Sequence, residues 1–152
     1  MSIRNKRLLK EQPKLKLHYN ITYPVDWKGD TIILKCTHHN VNLFINVYKL
    51  YPFQYPRLYI GNIDYIQWLL NKRHKYVDII NMFNINIPCI CCDTITCNWS
   101  PSYGIKEILD EFNKYYMYFY LLVKFKIIYK KIDGFDDLIY TNIIHFLYLN
   151  NI

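Results

Sequence analysis

Apolar and polar positions change period several times along the chain, and each change predicts an element. Over Ser2–Glu11 the apolar residues Ile3, Leu8 and Leu9 are spaced to face a core, while Arg4, Lys6, Arg7 and Lys10 fill the outward positions of a helix. Ser2 can cap that helix, and Pro13 is expected to end it. Leu17–Val25, rich in Tyr, Ile, Thr and Val, predicts a first strand, and Thr31–Thr37 a second. Between them Asp26–Asp30 makes a turn that pivots on Gly29. Val41–Tyr48 alternates with period two: Val41, Leu43, Ile45 and Val47 share one face, and Asn42, Phe44, Asn46 and Tyr48 the other. His38-His39-Asn40 is the short turn before it, and Arg57–Ile60 is a brief fourth strand. Connections this short imply a four-stranded antiparallel meander.

Helical spacing then returns. Ile66, Leu69, Leu70, Val77 and Ile80 predict a helical insert over 61–83, and Asn84–Asn98 reads as irregular and cysteine-bearing. Ile105, Ile108, Leu109, Phe112 and Tyr116 predict a helix over Ile105–Tyr118, and Asp137–Leu149 a final one. The apolar stretch Tyr115–Val123 ends at Lys124 and Lys126 and is too short to cross a bilayer, so no membrane partner is expected. No internal repeat or linker interrupts the 152 residues, which read as a single α+β domain over 1–152.

Composition adds one bias. There are 23 Ile, 15 Asn, 15 Lys and no Ala, the signature of an A/T-rich gene, and the lost Ala leaves helices dependent on tertiary packing. A hydrophobic fraction of 52% against 20% charged excludes a disordered chain. The net charge of +7 admits an acidic partner, but the lysines are scattered outside the first helix. A protein partner therefore ranks above nucleic acid, and no nucleic acid is expected. The five cysteines are odd in number, with Cys89, Cys91, Cys92 and Cys97 crowded together and Cys36 apart. That is a poor disulfide framework, and no apolar leader opens the chain, so a reducing intracellular setting, cytoplasmic or nuclear, is expected. The thiol spacing lacks paired CxxC units, so no metal is expected.

Three features carry chemistry, in one order. A basic first helix, Arg4-Asn5-Lys6-Arg7, comes first. Tyr51-Pro52-Phe53-Gln54-Tyr55-Pro56 follows the meander. Ile90-Cys91-Cys92-Asp93 then leads to Trp99-Ser100-Pro101 and a helix opening at Ile105. This order resembles the ubiquitin-conjugating enzymes, the E2 family with the UBC fold, over roughly residues 1–112, leaving 119–152 as a divergent C-terminal part. A large DNA virus is an A/T-rich source that fits such a divergent member.

The resemblance implies a transferase of the ubiquitin-like conjugation pathway. Cys91 would receive ubiquitin, or a ubiquitin-like protein, from E1 as a thioester and pass it to a substrate lysine or an E3 ligase. ATP is used by E1, so this chain would need no cofactor. Arg4, Lys6 and Arg7 match the family's E1-facing helix surface, and Phe53, Pro101 and Ser102 match the loops offered to E3. Asp93 matches the family's acidic residue after the cysteine; its ordinary reading is a loop cap. Trp99 reads as a brace, and Cys92 as a core residue at a position usually Leu.

Two departures matter. The family's His-Pro-Asn motif is not found: Asn81 and Phe83 stand at its His and Asn positions, with Asn84 the candidate substitute oxyanion donor in a shifted loop, and Asn86 beside it. The family's glycine-rich segment between the second and third strands is replaced by His38-His39-Asn40. The missing motif keeps a second reading open: a catalytically impaired E2-variant or RWD-like domain that binds proteins of the pathway without carrying ubiquitin.

Overall fold

The computed structural model describes residues 1–24, 27–82 and 92–131. Helix α1 (Ile3–His18) is followed by strands β1 (Ile21–Thr22), β2 (Thr31–His38), β3 (Val41–Tyr48), β4 (Arg57–Ile60) and β5 (Ile63–Asp64). Helices α2 (Tyr65–Lys75), α3 (Val77–Met82) and α4 (Ile105–Lys131) complete the described elements. The chain is an α+β protein with an N-terminal helix, an antiparallel sheet in the order β1-β2-β3-β4-β5, and a long helix that closes the described part.

The sheet follows from the alternation. Ile32, Leu34 and Cys36 on β2, Leu43, Ile45 and Val47 on β3, and Leu58 on β4 are all buried on one face. Residues between them point outward: Ile33 pairs with Asn46, which pairs with Arg57, and Lys35 pairs with Phe44, which pairs with Tyr59. The hairpin between β2 and β3 closes through His39 and Asn40, whose φ angles of 51° and 60° suit a tight primed turn. Gly29 takes φ 90° at the pivot expected for it.

Several expectations need correction. The sheet has five strands, because the chain reverses at Gly61 (φ 58°) and Ile63–Asp64 adds to β4. Asp64 then caps α2, its Oδ1 accepting from the Ile66 N–H at 3.0 Å. Helix α1 does not stop at Pro13 but runs through it to His18. Burial of Leu15 and Tyr19 in the core outweighs the backbone bond that a proline cannot make. In consequence Leu17, expected in a strand, is helical, and the first strand shrinks to two residues. Leu8 is buried as expected, but Ile3 and Leu9 are exposed, and Ser2 caps the helix with its Oγ accepting from Asn5 N–H at 3.2 Å.

Helix α4 does not end near Tyr118 but continues to Lys131, 27 residues in all. Ile105, Ile108, Leu109, Phe112, Tyr115, Tyr118, Phe119 and Leu122 make one continuous buried stripe, so nothing in the pattern breaks it. The expected insert over 61–83 contains β5, α2 and α3, with Tyr65, Trp68, Leu69, Tyr76 and Ile80 buried. Among the described residues no helix is long and apolar enough to cross a membrane. The expected final helix, Asp137–Leu149, lies outside the described residues.

Candidate functional site

Of the residues on which the expected chemistry rests, Cys91 and Asn84 lie outside the described residues, as do Cys89, Phe83 and Asn86. What the fold assembles among the described residues is a surface built from other parts of the chain. Three segments far apart in sequence meet: the first helix, the turn after β3, and the loop that opens α4.

Glu11 on α1 joins all three. Its Oε1 accepts from the Tyr51 hydroxyl at 2.6 Å and from the Arg7 guanidinium one turn earlier, and its Oε2 accepts from the Ile105 N–H at 3.2 Å. A carboxylate on the first turn of a 27-residue helix is favoured by the partial positive charge there. Glu107 completes the start of α4 by reaching back to the Gly104 N–H at 2.7 Å. Gly104 lies close to that carboxylate: a Cβ there would stand 2.9 Å from the Glu11 Cδ and Oε1, so the carboxylate would have to shift. Burial, then the adjacent Glu11 carboxylate, pushes the Tyr51 phenol well above its ordinary pKa. For Arg7, burial works downward, and Glu11 followed by Tyr51 outweighs it and raises the pKa, so Arg7 stays a cation.

Arg7 also donates from Nη2 to the Ser102 and Tyr103 carbonyls at 3.3 and 3.0 Å. Trp99 braces the neighbouring turn, its indole N–H donating to the Pro52 carbonyl at 2.7 Å, with Tyr51 and Tyr103 rings beside it. The Tyr51–Pro52 peptide is cis. Between these braces Phe53 stands 68% exposed, with Pro101 and Ser102 exposed beside the loop that Trp99 and Arg7 hold. A cleft of about 240 Å³ adjoins them, lined by Arg7, Lys10, Lys14 and Lys106 with Glu11 and Glu107. Both carboxylates are engaged inside the protein, and Lys106 is held by Asp110 at 2.6 Å, so Lys10 and Lys14 leave the rim cationic.

The structure thus gathers Arg7, Phe53, Pro101 and Ser102 into one region, with Lys6 exposed on the same helix. It does not put Arg4 there as an accessible cation. Arg4 is 4% exposed, and its guanidinium donates to the carbonyls of Trp27, Gly29 and Asp30 at 3.0 to 3.1 Å. It anchors the turn before β2. Cys92 is a second correction: expected in the core, it is exposed, because residues 92–98 form successive turns instead of a strand. The Asn98 side chain donates to the Cys92 carbonyl at 2.6 Å, and the Cys97 and Asn98 N–H groups return to the Thr94 carbonyl at 3.1 and 3.0 Å. Glu111 on α4 holds this knot, its Oε2 accepting from the Ile95 N–H at 2.8 Å. Burial raises the Glu111 pKa, against the Ile95 N–H, the Tyr65 hydroxyl and Lys114. Asp93 is exposed. Cys36 is buried on β2 and burial pushes its thiol up to about 11, which makes it inert.

Glu11, Gly104 and Glu111 were not singled out in the sequence, and Tyr51 only as the head of its motif. Arg7 and Glu11 at i and i+4 were a readable pair, and Gly104-Ile105-Lys106-Glu107 a readable helix start. The bonds of Glu11 to Tyr51 and Ile105, and of Glu111 to Ile95, carry no local signal. Among the described residues no group of three or more His, Cys, Asp or Glu side chains could hold a metal ion. No family model, curated protein or solved structure matches this chain.

Proposed function

We propose that the chain is a divergent E2-type transferase on a UBC-like fold, carrying ubiquitin or a ubiquitin-like protein on Cys91. The observation that carries this reading is the meeting of two motifs read apart in the sequence. The Tyr51-Pro52-Phe53 turn and the Trp99-Ser100-Pro101 loop are joined by the 2.7 Å bond from Trp99 to Pro52. The basic helix α1 is tied to the same loop through Arg7. An exposed aromatic beside a proline-bearing loop and a cationic cleft suits protein partners that present an apolar pocket and an acidic face.

In this reading the Cys91 thiolate attacks the thioester carbonyl of the modifier on E1, and the E1 thiol leaves. A substrate lysine amine, or the cysteine of an E3, then attacks the Cys91 thioester, and the Cys91 thiolate leaves. The chain needs no metal or nucleotide for either step. The lysine step develops an oxyanion, and Phe83 stands where the family has its Asn donor, with Asn84 the candidate replacement. That substitution favours a second reading, a protein-binding domain of the same pathway that carries nothing.

A charging reaction separates the two. With E1, ATP and ubiquitin, the expected product is a thiol-sensitive adduct, absent in Cys91→Ala and thiol-resistant in Cys91→Ser. No adduct with any ubiquitin-like modifier and its E1 would leave the binding domain. If charging succeeds, Asn84→Ala is expected to slow discharge to free lysine about a hundredfold while leaving charging intact.

A further inference from the structure

The face of the sheet turned away from the core is left uncovered by the described elements, and its residues are not those of an ordinary solvated surface. Phe44 on β3 and Tyr59 on β4 are directly paired neighbours, and Lys35 on β2 pairs with Phe44 from the other side. Arg57 lies in the next row, and Tyr48 at the far end of β3. The three rings are half-buried, and both cations are exposed. Arg57 lies two residues before Tyr59 on β4, and Tyr59 first, then Tyr48 and Tyr55, raise its pKa, so the guanidinium is a firm cation on this face. Among the described strand residues of this face the acidic one is Asp64, and its carboxylate is used in capping α2.

Rings on adjacent strands, cations beside them and no unengaged carboxylate among the described strand residues of this face suit a ligand that is anionic and carries flat, stackable groups. We propose that this outer sheet face binds single-stranded nucleic acid, bases stacking on Phe44 and Tyr59 while Lys35 and Arg57 hold phosphates. A duplex does not fit the same way, because its base faces are already stacked inside. From Phe44 to Tyr48 the platform runs roughly 13 Å along β3. The chain's net charge of +7 favours approach of any polyanion. The sequence concealed the arrangement because Lys35, Phe44 and Arg57–Tyr59 are gathered only by strand pairing. The inference is independent of thioester chemistry, and Cys91→Ala is expected to bind as the wild type does.

The test is fluorescence anisotropy with a labelled oligothymidylate of about twelve nucleotides, beside a duplex of the same length. Binding is expected at low salt, tighter for the single strand and weakened as salt rises. Phe44→Leu and Tyr59→Leu are each expected to weaken it about tenfold, while Phe44→Tyr, which keeps a stacking ring, retains it. Arg57→Gln is expected to lower the slope of log affinity against log salt by about one. Amide shifts of the wild-type protein on adding the oligonucleotide are expected on β2, β3 and β4, a readout that stands even where a variant fails to fold. The proposal is overturned by no binding at low salt, by equal affinity for the duplex, or by a folded Phe44→Leu protein that binds normally. Shifts confined to the cleft of Lys10 and Lys14 would overturn it too. So would a sheet face that ubiquitin perturbs and the oligonucleotide does not, which would assign it to a protein.

Discussion

Remove the carboxylate of Glu11 and three segments lose a shared partner. Tyr51 is fully buried, so its hydroxyl would be left without an acceptor, and the first amide of α4 would lose its cap. Glu11→Ala is expected to cost about 3 kcal/mol, read as a lowered urea midpoint, with Glu11→Gln costing about half as much because one acceptor oxygen remains. Gly104→Ala offers an independent check. Its new Cβ would meet the Glu11 carboxylate at 2.9 to 3.0 Å, an overpacking expected to cost about 1 to 3 kcal/mol. In the double variant with Glu11→Ala the clash has no partner, so the two costs are expected to be clearly less than additive. Arg4 teaches a related lesson. Four charged residues within two helical turns read as a solvated face, yet one of them is buried, because carbonyls from the turn before β2 meet its guanidinium. Nothing local in the sequence announces those carbonyls.

Helices α1 and α4 each depart from local propensity, and each departure can be measured. Pro13 lies inside α1, where it removes one backbone bond and crowds the carbonyl four residues back. Pro13→Ala is expected to raise stability by about 1 to 2 kcal/mol, less than the full helix-propensity difference because the unfolded chain gains freedom. On α4, Glu111 gives a pH signature. Its folded pKa lies above the ordinary glutamate value, so the folded state holds the proton more tightly than the unfolded one. The resulting stabilisation is complete below the unfolded pKa and is lost as pH rises through the folded value. Glu111→Gln keeps an oxygen for the Ile95 N–H but cannot ionise. The wild type minus variant stability difference should therefore fall as pH rises through and somewhat above the ordinary carboxylate range, and a flat difference would count against the burial argument. Strands β2 to β4 were legible because period-two alternation of Leu43, Ile45 and Val47 states both conformation and face. The end of α1 was not, because proline's local cost is visible in a sequence and the burial of Leu15 that exceeds it is not.

At the scale of the molecule, the candidate surface is a product of long-range closure. Phe53 is exposed and held by its neighbours, so Phe53→Ala is expected to change stability by less than about 0.5 kcal/mol and, under the proposed transferase function, to weaken E3-stimulated discharge. Trp99→Phe removes the N–H that reaches Pro52 and is expected to lose about 1 kcal/mol of stability and, under the proposed function, partner response with it. The motifs themselves were legible, and so was their order. Their meeting was not, since it depends on bonds that span from 47 to 96 residues of chain. That separation also sets a schedule for biosynthesis. The hairpin of β2 and β3 can form as soon as Tyr48 has emerged, because its contacts are local. Glu11 cannot complete its bonds until Ile105 has been made, so the Glu11 end of α1 is made early and is among the last parts to dock. A nascent chain stalled before residue 105 should expose α1 to protease, and a chain released past it should not.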